Sequence, residues 1–195
     1  MKREVEYFFL ISPPDEISGY VDRLKRACAK HIGSFYSMKS KAHISFGKFI
    51  DEEDEPGQVS GIMQQCLQLI EKGISRLPSC NLSVEGFDFF DHGSKFKTIY
   101  AAINLDDKTL EWFNAIKRQL LIDRNITPHI TIARKIPVEA FEILWPHFQK
   151  LKFKESFTPE SLTILTREFN KPIKYEKFKE IRFASLNTST LFVNY

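Results

Sequence analysis

Pro128-His129-Ile130-Thr131-Ile132-Ala133-Arg134 and, 86 residues ahead of its histidine, His43-Ile44-Ser45-Phe46 are two versions of one short pattern: a histidine, an isoleucine, then a hydroxyl residue. Each sits in a run rich in β-branched and aromatic residues, 126–134 and 42–50, and such runs read as strands. Side chains alternate along a strand, so residues two apart share a face. His43 and Ser45 therefore stand opposite Ile44 and Phe46, and His129 and Thr131 stand opposite Ile130 and Ile132. Each strand is expected to bury its isoleucine side against helices and to present an imidazole and a hydroxyl on its open side. Two such strands side by side make one cleft with two of each group.

The segments around the two patterns are alike in kind. Before the first lie a strand at Val5–Ile11, stopped by Pro13-Pro14, and a helix over Asp15–Ile32 with Ile17, Val21, Leu24 and Cys28 on one side and Gly33 beyond its end. After it come a charged loop, Asp-Glu-Glu-Asp-Glu-Pro-Gly at 51–57, and a second helix carrying Val59, Ile62, Met63, Cys66, Leu69 and Ile70. Before the second pattern, Leu82–Phe90 and Thr98–Asn104 read as a hairpin about Asp91-His92-Gly93-Ser94. Leu110, Phe113, Ile116 and Leu120 mark a third helix. After it, Val138–Phe148 is a fourth helix, and Leu162–Phe169 and Phe178–Phe183 a closing hairpin, with a further strand expected at Leu191–Tyr195. This is one supersecondary unit used twice, without a repeat of fixed period. Helices mixed with hairpin-joined strands predict an α+β fold of mainly antiparallel sheets rather than a doubly wound parallel one.

Composition narrows the class. At 195 residues the chain is expected to form a single domain spanning 1–195. Eighteen phenylalanines argue for a filled interior and against disorder. A net charge of +3 excludes a protein that wraps a polyanion, but leaves room for a local basic cleft. Cys28, Cys66 and Cys80 are odd in number and form no paired motif, so neither a disulfide framework nor a zinc knuckle is expected, and a cytoplasmic location fits best. The start lacks a signal-peptide pattern, and no apolar run nears the roughly 18 residues of a membrane span. Dinucleotide, P-loop, nucleophile-elbow and zincin motifs are all missing.

The two imidazoles and two hydroxyls have a clear chemical use. One imidazole takes a proton from an attacking oxygen and the other gives one to a departing oxygen, and an ordinary histidine pKa near 6.5 suits both tasks. The hydroxyls, as neutral donors, suit the non-bridging oxygens of a phosphodiester. This ligand set suggests no metal. A single His-x-Ser or His-x-Thr tripeptide is weak, and a lone strand histidine is more often structural; the weight rests on the pair.

The pair resembles the duplicated signature of the two-histidine (2H) phosphoesterase superfamily. Within it, the chain resembles the bacterial 2′-5′ RNA ligase / RNA 2′,3′-cyclic phosphodiesterase family. The likeness rests on Glu6-Tyr7-Phe8-Phe9-Leu10-Ile11-Ser12-Pro13-Pro14, Ala42-His43-Ile44-Ser45-Phe46-Gly47-Lys48-Phe49, Ile126–Arg134 and the hairpin at 161–183, in the family's order. The first motif departs from it in having Ser45 where threonine is commoner, and the preceding segment 34–41 is atypical.

The resemblance implies two pseudo-symmetric lobes with outer helices and an active-site cleft between them. It implies a metal-independent, cofactor-free enzyme that opens 2′,3′-cyclic phosphates, on RNA ends or nucleotides, to 2′-phosphates. His129 would be the base on water, His43 the acid on the departing 3′-oxygen, and Ser45 and Thr131 the phosphate ligands. With a 5′-hydroxyl replacing water, the same groups would make a 2′-5′ linkage. Two other readings stand beside it: a phosphodiesterase on another small cyclic or 2′-5′-linked nucleotide, and a non-catalytic nucleotide- or RNA-binding module of this fold. A monomer without an obligate protein partner is expected.

Three further residues are candidate substrate contacts. Arg134 suits a phosphate clamp, although strict alternation puts it opposite His129 unless the strand ends or bends first. Lys41 shares the His43 face if that strand starts early, and could steer an anion. The resemblance places an aromatic near the nucleobase at Phe9, where a core role is an equal reading. Lys150, Lys152 and Lys154 read as a solvated edge rather than an RNA contact. His31, His92 and His147 are assigned no role.

Overall fold

Alternating and helical spacings become eight strands and four helices in the computed structural model, which describes residues 3–53, 55 and 57–185. In chain order they are β1 (Arg3–Ile11), α1 (Asp15–Ile32), β2 (Ile44–Glu53), α2 (Gly61–Ile74), β3 (Leu82–His92), β4 (Phe96–Ile103), α3 (Asp107–Gln119), β5 (His129–Pro137), α4 (Val138–Phe148), β6 (Lys154–Phe157), β7 (Ser161–Glu168) and β8 (Glu176–Arg182). They form two antiparallel four-stranded sheets, β2-β1-β7-β8 and β5-β4-β3-β6. The architecture is thus α+β with two lobes, each with its histidine motif on an edge strand, and the two edge strands β2 and β5 touch.

The helices are exchanged between the lobes. α1, from the first half of the chain, packs with α4 against β5, while α3, from the second half, packs with α2 beside the first sheet. Ring contacts mark both seams: Phe46 of β2 meets Phe113 of α3 at 5.7 Å, and Tyr20 of α1 meets Phe153 at 4.6 Å. One continuous apolar cluster runs through both lobes. The phenylalanines supply much of it: Phe87 and Phe89 lie on the helix side of β3 against Phe141, Trp145 and Phe148. Such ring pairs add to plain area burial by about 0.5–1.5 kcal/mol each.

Several boundaries differ from the sequence expectation, each for a pairing reason. The charged stretch at 51–57 does not begin as a loop, because Asp51, Glu52 and Glu53 continue β2 opposite Val5, Glu4 and Arg3. The β3–β4 turn starts later than expected: β3 extends to His92 and the reversal falls at Gly93, whose φ of 67° favours glycine. Lys154–Phe157 pairs beside β3 as the outer strand of its sheet, and Lys150, Lys152 and Lys154 are exposed, as the solvated-edge reading expects. The strand expected at Leu191–Tyr195 lies outside the described residues. The three cysteines are free, and burial pushes the Cys28 thiol up to about 11. No helix among the described residues is long and apolar enough to cross a membrane.

Candidate active site

His43 and His129 are held in the same way. Nδ1 of His43 donates to the Lys41 carbonyl at 2.8 Å, and Nδ1 of His129 donates to the Thr127 carbonyl at 2.7 Å. A carbonyl can only accept, so the proton of each neutral ring sits on Nδ1 and the lone pair on Nε2. Each ring has an aromatic wall from the neighbouring strand. Phe8 of β1 stands edge-on to His43 at 5.4 Å; Tyr100 of β4 and Phe90 of β3 meet His129 at 5.0 and 4.9 Å. Phe90 stacks on Tyr100 at 4.2 Å, and the Tyr100 hydroxyl donates to Asp88; burial, then Asp88, pushes that phenol up to about 12.

Both imidazoles are pushed below the usual histidine range. Burial is the main cause for each, against the pull of the carbonyl bond. Lys25, His129 and Arg134 add positive charge that lowers His43 further, and Arg134 does the same to His129. The two histidines and Arg134 thus share one electrostatic neighbourhood. Ser45 and Thr131 lie half-buried two residues beyond their histidines.

Arg134 joins this set because β5 does not keep strict alternation. Opposite β4, Tyr100 pairs with Thr131 and Ile99 with Ala133, so one step on β4 matches two on β5. That bulge turns both Ile132 and Ala133 inward and returns Arg134 to the exposed face of His129 and Thr131. β2 carries the same irregularity. Phe9 pairs with Gly47 and Leu10 with Ser45, Phe46 and Gly47 are both buried, and Lys48 emerges.

Lys48 is thus the positional twin of Arg134, five residues after its histidine, but it is engaged differently. Its ammonium donates to Glu6 at 3.0 Å and to the Tyr175 hydroxyl at 2.6 Å, and lies 5.1 Å from the Phe8 ring centre. Arg167 also donates to Glu6, at 2.9 Å. Burial pushes the Glu6 carboxyl up, but the bonds from Tyr175 and Lys48 outweigh it and hold the group below the usual range. The two positional twins therefore differ: Lys48 is tied to a carboxylate, whereas the Arg134 guanidinium lies beside the Tyr36 ring.

A reciprocal clasp aligns the two edge strands. The hydroxyl of Ser37, in the loop before His43, donates to the Ile132 carbonyl in the β5 bulge at 3.2 Å and accepts from the Arg134 N–H at 2.9 Å. In return Arg124, in the loop before His129, donates to the Phe46 carbonyl in the β2 bulge at 3.3 Å. Gly47 sits tightly beneath that loop; a Cβ there would meet Ile122 at 3.1 Å. Edge strands leave main-chain groups unpaired, and here these groups become the bond between lobes. Lys25, only 1% exposed, secures the first loop from below by donating to the Ser40 carbonyl at 2.6 Å, and Ser40 donates to the Ser37 carbonyl at 2.7 Å. Ser37→Ala leaves a buried carbonyl and N–H without their partner. It is expected to cost about 1–3 kcal/mol, read as a lower denaturant midpoint at unchanged slope.

One expected contact, Phe9, is corrected, and the strand alternation offered for Lys41 is absent. Phe9 is 1% exposed and packs in the core against Phe49 at 5.3 Å, so it cannot stack on a ligand; its neighbour Phe8 faces the cleft. β2 starts at Ile44, so the alternation that would place Lys41 beside His43 does not reach it. Lys41 contributes its main-chain carbonyl, not its ammonium, to the histidine. Sequence reading missed Phe8, Phe90, Tyr100 and Lys48. The run Tyr7-Phe8-Phe9 carries aromatics on both faces, so alternation alone could not choose between them. The equal spacing of Lys48 and Arg134 from their histidines was the one available signal for Lys48. Among the described residues, no group of three or more His, Cys, Asp and Glu side chains could hold a metal ion.

Comparison with known proteins agrees with the fold. A family model described as the 2′-5′ RNA ligase superfamily matches residues 13–170. No curated protein matches the sequence. Among solved structures, TT0787 of Thermus thermophilus is 13% identical with a TM-score of 0.62, covering 93% of this chain and 99% of that one. E. coli LigT in complex with 3′-AMP is 16% identical with a TM-score of 0.59, covering 94% and 99%. A structure described as a phosphoesterase is 16% identical with a TM-score of 0.57, covering 92% and 98%. At these identities the likeness is one of fold.

Proposed function

The chain belongs to the 2′-5′ RNA ligase superfamily, and from that premise we propose that it opens the 2′,3′-cyclic phosphate of an RNA end or nucleotide to a 2′-phosphate. The observation that carries this reading is the matched pair of imidazoles, each with Nδ1 tied to a carbonyl two residues back and Nε2 free for proton transfer. In the hydrolytic direction Nε2 of His129 takes a proton from water as its oxygen attacks phosphorus. Nε2 of His43 gives its proton to the 3′-oxygen as the P–O3′ bond breaks. Ser45, Thr131 and Arg134 hold the non-bridging oxygens, and Arg134 meets the charge that grows on them. With a 5′-hydroxyl in place of water the roles stay the same: His129 takes its proton as its oxygen attacks phosphorus, His43 protonates the departing 3′-oxygen, and a 2′-5′ linkage forms. Both proton transfers are supplied by side chains, so the reading requires no metal.

The test is hydrolysis of a 2′,3′-cyclic nucleotide, and of an RNA ending in one, with EDTA present and the product isomer identified. Turnover to a 2′-phosphate is the expected result; a 3′-phosphate product, or loss of activity in EDTA, would contradict the mechanism.

The depressed imidazoles also set a pH profile. The working form carries one proton on the pair, and both groups lose theirs below pH 6.5 in the free enzyme. Raising the pH removes the acid, and lowering it protonates the base. The bell for kcat/KM is therefore expected to centre below pH 6.5. The bell for kcat shifts upward, because the bound phosphate's negative charge favours the imidazolium. Initial rates across pH 4.5–8.5 check this; a kcat/KM bell centred above 6.5 would contradict it.

A further inference from the structure

The loop between α1 and β2 does more than hold His43. Its tip presents Tyr36, which is 83% exposed although both of its neighbours are anchored: Ser37 is 4% exposed and Phe35 packs on the core. Ser37 is bonded to the β5 bulge on both sides, Ser40 is held by Lys25, and the Met38 and Ser40 N–H groups close turns onto the Phe35 and Ser37 carbonyls at 3.1 Å. A scattered exposed aromatic needs no explanation, but this one is displayed from a braced loop at a defined place. The Arg134 guanidinium lies 5.8 Å from the centre of its ring. Tyr36 thus stands beside Arg134, at the edge where the two lobes meet.

We propose that Tyr36 is a nucleobase platform: the base of the substrate stacks on its open surface while the attached phosphate lies on Arg134. This rests on the phosphoester reading of the cleft and adds the side chain that receives the base, so that base and phosphate are held by separate groups. The physical case is preorganisation. A ring carried on a braced backbone beside the clamp costs less to order when a base lands on it, and an aromatic face accepts any base. The guanidinium lies on one side of the ring, and the high exposure leaves the rest of it to a ligand.

Calorimetric binding tests this without requiring turnover. The probes are adenosine 2′-phosphate, a 2′-phosphorylated RNA trinucleotide and ribose 2-phosphate, against wild type, Tyr36→Phe and Tyr36→Ala. Wild type is expected to prefer the base-bearing ligands. Tyr36→Ala should lose about tenfold affinity for them and none for ribose 2-phosphate, while Tyr36→Phe, which keeps the ring, stays within about twofold of wild type. Whichever base-bearing ligand wild type holds more tightly assigns the base to an RNA end or a free nucleotide.

If Tyr36 served only to orient Arg134, the alanine variant would lose affinity for ribose 2-phosphate as well, which overturns the proposal. So would an unchanged affinity for the base-bearing ligands, or a wild type with no preference for them. Failure of the phosphoester reading registers separately, as tight base-dependent binding of a 2′-phosphate with no opening of the cyclic phosphate.

Discussion

Alanine at His43 or at His129 lowers the rate of cyclic-phosphate opening by about 100- to 10,000-fold in each single variant, with the far-ultraviolet dichroism and unfolding midpoint close to wild type. The size follows from the task. Each imidazole moves one proton in the transition state, and neither neighbouring hydroxyl can replace it near neutral pH, because serine and threonine do not titrate there. Folding is expected to survive because both rings are only half-buried and each makes one hydrogen bond, to a carbonyl that water can satisfy. The two losses do not add in the double variant, since the imidazoles act on one transition state. Single-turnover rates at pH 6.5 on a 2′,3′-cyclic nucleotide read the effect. A variant of either histidine that keeps more than a tenth of the wild-type rate would remove the paired mechanism.

Arg134→Gln gives the second large effect, a fall in kcat/KM of about 100- to 1,000-fold, the scale for loss of one aimed donor at a developing charge. Glutamine keeps a polar donor on a shorter side chain, but neither the charge nor the fork of arginine. Arg134→Lys recovers only part of the loss, because an ammonium restores charge without the bidentate geometry. The corresponding change in the first lobe, Lys48→Gln, is expected to lower kcat/KM by less than about tenfold, because Lys48 spends its charge on Glu6 and Tyr175. The ratio of the two effects measures how one-sided the clamp is. Equal losses at Arg134 and Lys48 would show that the ammonium leaves Glu6 when substrate arrives. Arg134→Gln also removes one of the positive charges acting on both histidines, so the kcat/KM bell moves toward higher pH in this variant.

Much of this molecule is legible along the chain. The helices α1 and α4 begin and end where the apolar spacing and the flanking proline and glycine put them, and the hairpins fall between the runs that predict them. The paired His-Ile-Ser and His-Ile-Thr strands also follow from period-two patterning, because burial of Ile44 and Ile130 forces the polar side outward. These features are local: each depends on residues within a few positions of one another. Phe9 and Lys41 show where local reading stops. Tyr7, Phe8 and Phe9 satisfy either face of β1, and only pairing with β2, Phe8 beside Lys48 and Phe9 beside Gly47, sends Phe8 to the cleft and Phe9 to the core. Lys41 fails because the alternation it needs begins three residues later.

Local pattern is enough for the α+β class, most of the elements, and the choice of two histidines and two hydroxyls on the open side of their strands. Their assembly comes from the packed fold alone. The exchange of α1 and α3 between lobes, the contact of edge strands β2 and β5, and the clasp from Ser37 and Arg124 join residues far apart in the chain, Ser37 and Arg134 by 97 positions. Above all, Arg134 reaches the cleft through a bulge that no alternation predicts. A bulge arises when two strands pair with unequal counts, so it belongs to the pair and not to either strand. The reason is physical: a strand's pattern specifies which side is buried, but register, partner and bulge are set by where the other strands find their own hydrogen bonds.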